Sequence, residues 1–255
     1  MLIRIWRDWR RKRYLARNTV DEQAWQEALQ RLRVRGRLSP GQQSHLRDLS
    51  LLFLHEKDIV PLEGLELDQA DLYFLAIQAC ALVFHLGFSA YDGWQSIYVF
   101  PSIFREKASE EGRPLGQHEL PGHLAGLAQQ GGAVVLAWTQ VESGGADLDD
   151  GSNVVFHEFA HKLDMQDGSP NGVPLLPPDI SPAEWQQTFA AAFEDFTETV
   201  ERGRPTRIDA YAATDPAEFF AVMTEYYMES PETLDHEYPE VHRLLERYYR
   251  IPRLT

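Results

Sequence analysis

His157-Glu158-Phe159-Ala160-His161 has the residue types and spacing of a metal-dependent hydrolase. In a helix, side chains four apart share one face, one turn apart, so the two imidazoles can grip a single metal ion. Glu158 sits beside His157 but is angled off that face. It can reach an attacking water without ligating the metal. A shuffled chain with nine His and 22 Glu would contain this pattern about 3% of the time, so the surroundings must add weight. They do. Val154, Val155, Phe156, Phe159, Ala160 and Leu163 predict a buried helix. A buried His-Glu-His cluster needs partners for its polar groups, and a zinc ion supplies them.

A catalytic zinc keeps three protein ligands and an open position. The extended metzincin pattern needs a glycine and a third histidine where this chain has Asp164 and Asp167, which excludes that class. The third ligand should come from a later helix. His236 and His242 are the histidines downstream, and carboxylates are many. Glu218 is the best candidate. It lies in the mostly apolar Pro216-Ala217-Glu218-Phe219-Phe220-Ala221-Val222, where an unpaired carboxylate would be costly to bury. The plainer alternative is a first-turn Glu near the positive end of a helix. Glu225, two turns later on the same face, is its nearest rival. Asp164 shares the helix face of both histidines. It could accept the far N–H of a ligand imidazole, or pair with a neighbouring base.

The elements that must position these groups are mainly helical. Helical spacing covers residues 21–34 through Trp25, Leu29 and Leu32, with Thr19 or Asp21 as the cap. A second helix follows Ser39-Pro40-Gly41 and runs through Leu46, Leu49, Leu52 and Phe53. Residues 69–86 form a long apolar helix with Gly87 as its stop. Two strands stand out, Ser96-Ile97-Tyr98-Val99-Phe100 and residues 132–138. Residues 105–132 read as a long irregular excursion, and 143–150 as an acidic loop. Ser152 or Asn153 caps the motif helix. A Pro/Gly-rich loop spans 168–179. Ser181-Pro182 opens a helix that ends near Arg202, Asp215-Pro216 opens one that ends near Met228, and Ser230-Pro231 breaks the chain before a last helix over 238–249. The expected class is α+β, mainly helical, with a small sheet beside the H-E-x-x-H helix. Residues 1–90 would form an N-terminal helical part and 91–255 the catalytic part, without a linker that marks the boundary; the alternative is one continuous domain.

Three segments together resemble a known family: His157-Glu158-Phe159-Ala160-His161-Lys162-Leu163-Asp164, Ile208-Asp209-Ala210-Tyr211-Ala212-Ala213 and Ala217-Glu218-Phe219-Phe220-Ala221-Val222. It is the Mlc titration factor A family of bacterial zinc peptidases, whose catalytic centre is similar to that of anthrax lethal factor. The resemblance covers about residues 133–230, and Val134-Val135-Leu136-Ala137-Trp138 fits the family's strand before the motif. It implies one zinc per chain held by His157, His161 and Glu218, with Glu158 as the general base. It also singles out Tyr211, whose hydroxyl would meet the oxyanion of the tetrahedral intermediate. From the residues alone, Tyr211 could equally be an aromatic that anchors the loop before the helix. The resemblance further implies aminopeptidase-type activity on peptides, and binding of the glucose-responsive transcription repressor Mlc, which would link the protein to control of sugar uptake. The protein would then be a zinc peptidase, or mainly a repressor-binding regulator with secondary peptidase activity. The intact His-Glu-His set favours catalysis, because a scaffold has no use for Glu158.

Composition narrows the rest. The chain has 255 residues and a net charge of −15. Residues 1–37 hold 11 Lys and Arg against 4 Asp and Glu, a net of +7, which leaves −22 on the remainder. An acidic body does not favour nucleic acid as a partner. Trp6 and Trp9 are interleaved with Arg4, Arg7, Arg10, Arg11, Lys12 and Arg13, as in an interfacial helix that touches an anionic surface. The preferred reading of this arm is a frayed, solvated terminus that packs on the acidic body. No run of 18 apolar residues spans a membrane, and no apolar core of a secretory signal follows the basic start. The single cysteine, Cys80, can form no internal disulfide, so the expected location is the cytoplasm.

Overall fold

Short polar residues followed by proline open four of the helices. Ser39, Ser181 and Asp215 each accept a backbone N–H of the first turn behind a proline at its start. The computed structural model describes residues 2–32, 38–102, 132–146 and 151–250. Its helices are α1 (Leu2–Leu15), α2 (Glu22–Arg31), α3 (Pro40–Glu56), α4 (Gln69–Leu82), α5 (Trp138–Ala146), α6 (Val154–Asp164), α7 (Pro182–Glu201), α8 (Pro216–Glu229), α9 (Pro231–Glu237) and α10 (Pro239–Tyr249). Three short strands, β1 (Asp58–Pro61), β2 (Ser96–Phe100) and β3 (Val134–Ala137), form a parallel sheet in the order β1-β2-β3. The fold is therefore α+β and mainly helical, as expected.

Parallel neighbours need a crossover, and α4 supplies it between β1 and β2. Ten of its fourteen residues are buried, so it reads as apolar all round. The helix stops at Leu82 rather than near Gly87. Val83 and Phe84 continue in tighter turns, and Gly87 closes them at a φ of +81°. Strand β1 was not foreseen. It has four residues and ends in a proline, too little for an alternation signal. Helix α5 was not foreseen either. It follows β3 directly, and Gly144 and Gly145 lower its local propensity. Gly144 has a packing reason: a Cβ there would lie 3.1 Å from Asn153, at the start of α6.

Helix α6 lies in the middle of the molecule, against α8, α4, α5 and β3. Val155, Phe159, Ala160 and Leu163 are fully buried on it. Phe159 packs on Phe53 of α3, Tyr91 and Trp94, with ring centroids 5.3–5.6 Å apart. One continuous set of buried side chains reaches from Trp25 to Tyr249. The N-terminus packs on the acidic body, as expected, but it is not frayed. It is a helix held on its inner side, because Arg11 reaches both Glu56 and Asp92 at 2.7 Å and Tyr14 stacks on His55 at 3.8 Å. The irregular stretch expected over 105–131, the end of the first helix beyond Leu32 and most of the acidic loop lie outside the described residues.

Candidate metal centre

Asn153 starts the site-bearing helix. Its side-chain oxygen accepts from the N–H of Val155 and Phe156, which caps α6. From this start, His157 and His161 fall one turn apart on the same face. Their Nε2 atoms are 3.2 Å apart. Asp215 caps α8 in the same way, accepting from the N–H of Ala217 and Glu218. That places Glu218 in the first turn of α8, facing the two histidines. Its Oε2 is 3.0 Å from His157 Nε2 and 3.4 Å from His161 Nε2. Three donor atoms from two helices thus form a small triangle, the one group of this kind among the described residues.

The opposite end of His157 explains the triangle. Its Nδ1 is 2.6 Å from Oε1 of Glu225, two turns further along α8. With the proton of Nδ1 donated to that carboxylate, Nε2 presents a lone pair to the triangle. Oε2 of Glu218 is buried and finds no hydrogen-bond donor. Lone pairs at such distances repel, so the triangle needs positive charge within it, either a proton on His157 or a metal ion that takes the proton's place. Tetrahedral coordination with bonds of about 2.0–2.1 Å sets ligand atoms roughly 3.3–3.4 Å apart, and the observed 3.0–3.4 Å edges fit that spacing. Nitrogen and oxygen donors of this kind suit a first-row divalent metal ion. The electrostatics agree. Burial works against a charged His157, yet the carboxylates of Glu218 and Glu225 outweigh it and push the imidazole pKa up to about 10. Burial would raise the Glu218 pKa, and the two histidines instead hold it well below the usual carboxylate range. The site is built to take positive charge.

Two further groups frame the triangle. Tyr211 stands in a short 3₁₀ turn (Ala210–Ala213) whose start is fixed by Asp209, which accepts from the Tyr211 N–H. Its ring centroid is 6.1 Å from that of His157, and its hydroxyl hydrogen-bonds the Glu218 carboxylate. Burial and the nearby Glu218 charge raise the pKa of this phenol, so it stays protonated and able to donate. Glu158 is half-buried on α6, close enough to act electrostatically on His157, Tyr211 and Lys162. All five residues singled out in the sequence are thus brought to one place.

Glu225 and Asp164 take other places than those the sequence suggested. Glu225 does not face the triangle. It holds His157 from behind, and its second oxygen accepts from the backbone N–H of Asn153 at 2.7 Å. Asn153 also donates to Gln78 of α4 and Glu229 of α8, at 3.0 and 2.8 Å. This buried polar network ties α4, α6 and α8 together. Of its members, Gln78 and Glu229 carried no warning in the sequence beyond being polar residues in apolar helices. Asp164 does not contact an imidazole through a hydrogen bond. Its Oδ2 accepts from the N–H of Gly172, and Trp185 donates its indole N–H to the Gly172 carbonyl. A Cβ on Gly172 would lie 2.5 Å from the carbonyl of Pro216, so this clamped loop rests on the first turn of α8. Asp164 therefore fixes the loop that lies against the first turn of α8, the turn that carries Glu218. Lys162 was not anticipated. Its ammonium donates to the Gly132 carbonyl beside β3, and burial lowers its pKa.

One helix supplies two imidazoles and a second helix the carboxylate, an arrangement that can hold one divalent metal ion. The chain matches the family described as glucose-regulated metallo-peptidase M90 over residues 6–250. It is 36% identical over 248 residues to an uncharacterised protein of Synechocystis, covering 96% of this chain and 89% of that one. It is 34% identical over 233 residues to the Mlc titration factor A proteins of Escherichia fergusonii and Klebsiella pneumoniae, covering 90% of this chain and 86% of each of those. The protein belongs to this metallopeptidase family, the Mlc titration factor A family.

Proposed function

We propose that the protein is a zinc-dependent peptidase in which His157, His161 and Glu218 hold one metal ion, Glu158 is the general base and Tyr211 donates to the oxyanion. The observation that carries this reading is the triangle of three donor atoms, with His157 pinned from behind by Glu225. A zinc ion held there supplies Lewis-acid chemistry that activates water and polarises a carbonyl. Glu158 then takes the proton from the attacking water and delivers it to the leaving amine. The Tyr211 hydroxyl leaves Glu218 and donates to the oxygen of the former carbonyl. Strand β3 ends the sheet among the described residues and lies beside α6, so an extended peptide can pair with it as a further strand. The resemblance implies aminopeptidase-type cleavage, and Cys80, a lone buried thiol, goes with a cytoplasmic location.

The test is metal analysis of the purified protein with a peptide-substrate screen and the Glu158→Gln variant as control. The variant should retain about one zinc per chain and lose hydrolysis by about a hundredfold or more. Equal rates in variant and parent would move the base elsewhere. A second reading, in which the protein titrates an Mlc-type repressor, is supported by relatives that carry that name at 34% identity over most of both chains. It is tested by measuring binding of purified Mlc to the parent and to Glu158→Gln. Equal binding by both would separate the two activities, and no binding by either would remove this reading while leaving the peptidase untouched.

A further inference from the structure

Ile5, Trp6 and Trp9 of α1 are 57%, 55% and 54% exposed, three of the five large apolar side chains that stand exposed among the described residues. Positions 5, 6 and 9 lie within about a third of the helix circumference. The opposite side of α1 is occupied. Arg7 reaches Asp92, Arg11 is buried between Glu56 and Asp92, and Tyr14 stacks on His55. So the outward face is set by the inward contacts and is not a matter of fraying. Guanidinium groups rim this face: Arg10 lies 4.8 Å from the centre of the Trp6 ring, and Arg13 lies 5.3 Å from that of Trp9.

Charge separates α1 from the rest of the molecule. Residues 2–15 carry six Lys and Arg and one Asp, a net of +5 in a chain of −15. Such a dipole turns α1 toward a negative surface and the acidic body away from it. The shape of the face selects among negative surfaces. Two indoles and an isoleucine on a convex ridge need a receiver that deforms around them, and the boundary between lipid headgroups and acyl chains does so. Tryptophan favours that depth, while arginines beside it reach the phosphates.

We propose that α1 is a peripheral attachment site for anionic bilayer surfaces, with Ile5, Trp6 and Trp9 entering the headgroup region and Arg10 and Arg13 pairing with lipid phosphates. The attachment is reversible, because one short helix offers little apolar area and relies on anionic lipid for the remainder. It is independent of the metal site.

Cosedimentation of the full chain with vesicles tests this. Vesicles of phosphatidylcholine with about one third phosphatidylglycerol should bind it, pure phosphatidylcholine should not, and about 0.5 M salt should release it. Trp6→Ser with Trp9→Ser, and separately Arg10→Gln with Arg13→Gln, should each weaken binding by about tenfold or more. Circular dichroism of both double variants should match the parent, since the changed side chains point outward. The proposal fails if the parent ignores the anionic vesicles, binds neutral ones equally well, or is unaffected by the double tryptophan change. It also fails if ultracentrifugation shows that the parent self-associates through this face while no vesicle binding occurs.

Discussion

The imidazole of His157 is held at both ends, and the two ends answer to different carboxylates. Glu218 shares the triangle, whereas Glu225 orients the ring and fixes its tautomer. Removing Glu218 should abolish stoichiometric metal binding. Removing Glu225 should weaken it by about 10–100-fold, the usual cost of losing a group behind a ligand. Chelator competition on Glu218→Ala and Glu225→Ala checks this, and the reverse ranking would make Glu225 the ligand. Tyr211→Phe isolates one hydroxyl. The ring stays beside His157 and only the donor is lost, so metal content should be unchanged while turnover falls by about ten- to a thousandfold. Wild-type turnover in that variant would reduce Tyr211 to packing. His157, Glu218 and Glu225 were legible because each stands out as a polar type in an apolar helix, whereas Tyr211 was singled out only by the family resemblance. Their division of labour was not, since Glu218 and Glu225 share a face of α8 and only depth along the helix separates them.

At the scale of elements, the site depends on how α6 meets α8. Two devices fix that meeting. One is the network around Asn153, in which a capping residue also binds α4 and α8. The other is the loop at Gly172, pinned by Asp164 and Trp185 and set against Pro216. Gly172 has a φ of +76°, and a Cβ there would meet the Pro216 carbonyl. Gly172→Ala should therefore cost about 1–3 kcal/mol of stability and also loosen metal binding, because the displaced turn carries Glu218. Urea unfolding and a metal titration of the same variant check both effects. Lost stability with unchanged metal affinity would show that the loop does not position Glu218. Neither device could be read from spacing, since Asp164 and Gly172 are ordinary loop and helix-end residues until the fold brings Pro216 against them.

Across the whole molecule, Lys57 joins the N-terminal helices to the sheet. It ends α3, donates to the carbonyls of Tyr91 and Trp94 and lies 3.7 Å from the centre of the Trp94 indole. Burial pulls its pKa down to about 8 from an ordinary 10.5. Between those values the unfolded chain binds more protons than the folded one, so this group makes stability rise with pH from about 8 to 10.5. Below that window the full cost of burying the charge is present, about 1–3 kcal/mol. The neutral amine keeps two N–H donors, one for each carbonyl. Tyr91, Tyr248 and Tyr249, whose phenols burial pushes upward, turn the trend down above about pH 10. Lys57→Met should flatten most of the rising limb and leave the share that buried Lys162 contributes, as measured by urea unfolding at intervals from about pH 7 to 10. A variant that keeps the parent's slope would assign the titration to another group.

What the sequence determined by itself is what neighbours along the chain can encode. His157 and His161 share a face because any helix puts residues four apart together, and Asn153, Ser39, Ser181 and Asp215 start helices through bonds to their own first turns. Strand β2 was legible at Ser96–Phe100 because five β-branched, aromatic and polar residues end at a proline. Tertiary structure decided the remainder. Strand β1 exists because β2 pairs with it, since four residues ending in proline have no strand signal of their own. Helix α5 packs closely on the start of α6, where Gly144 leaves room for Asn153. The basic N-terminus is a fixed helix because Glu56 and Asp92, distant in the chain, receive Arg11. The metal-type triangle likewise needs a carboxylate from α8, 57 residues after His161. Local periodicity can nominate such a residue. Only the packing of α6 on α8 brings its oxygen within 3.4 Å of both imidazoles.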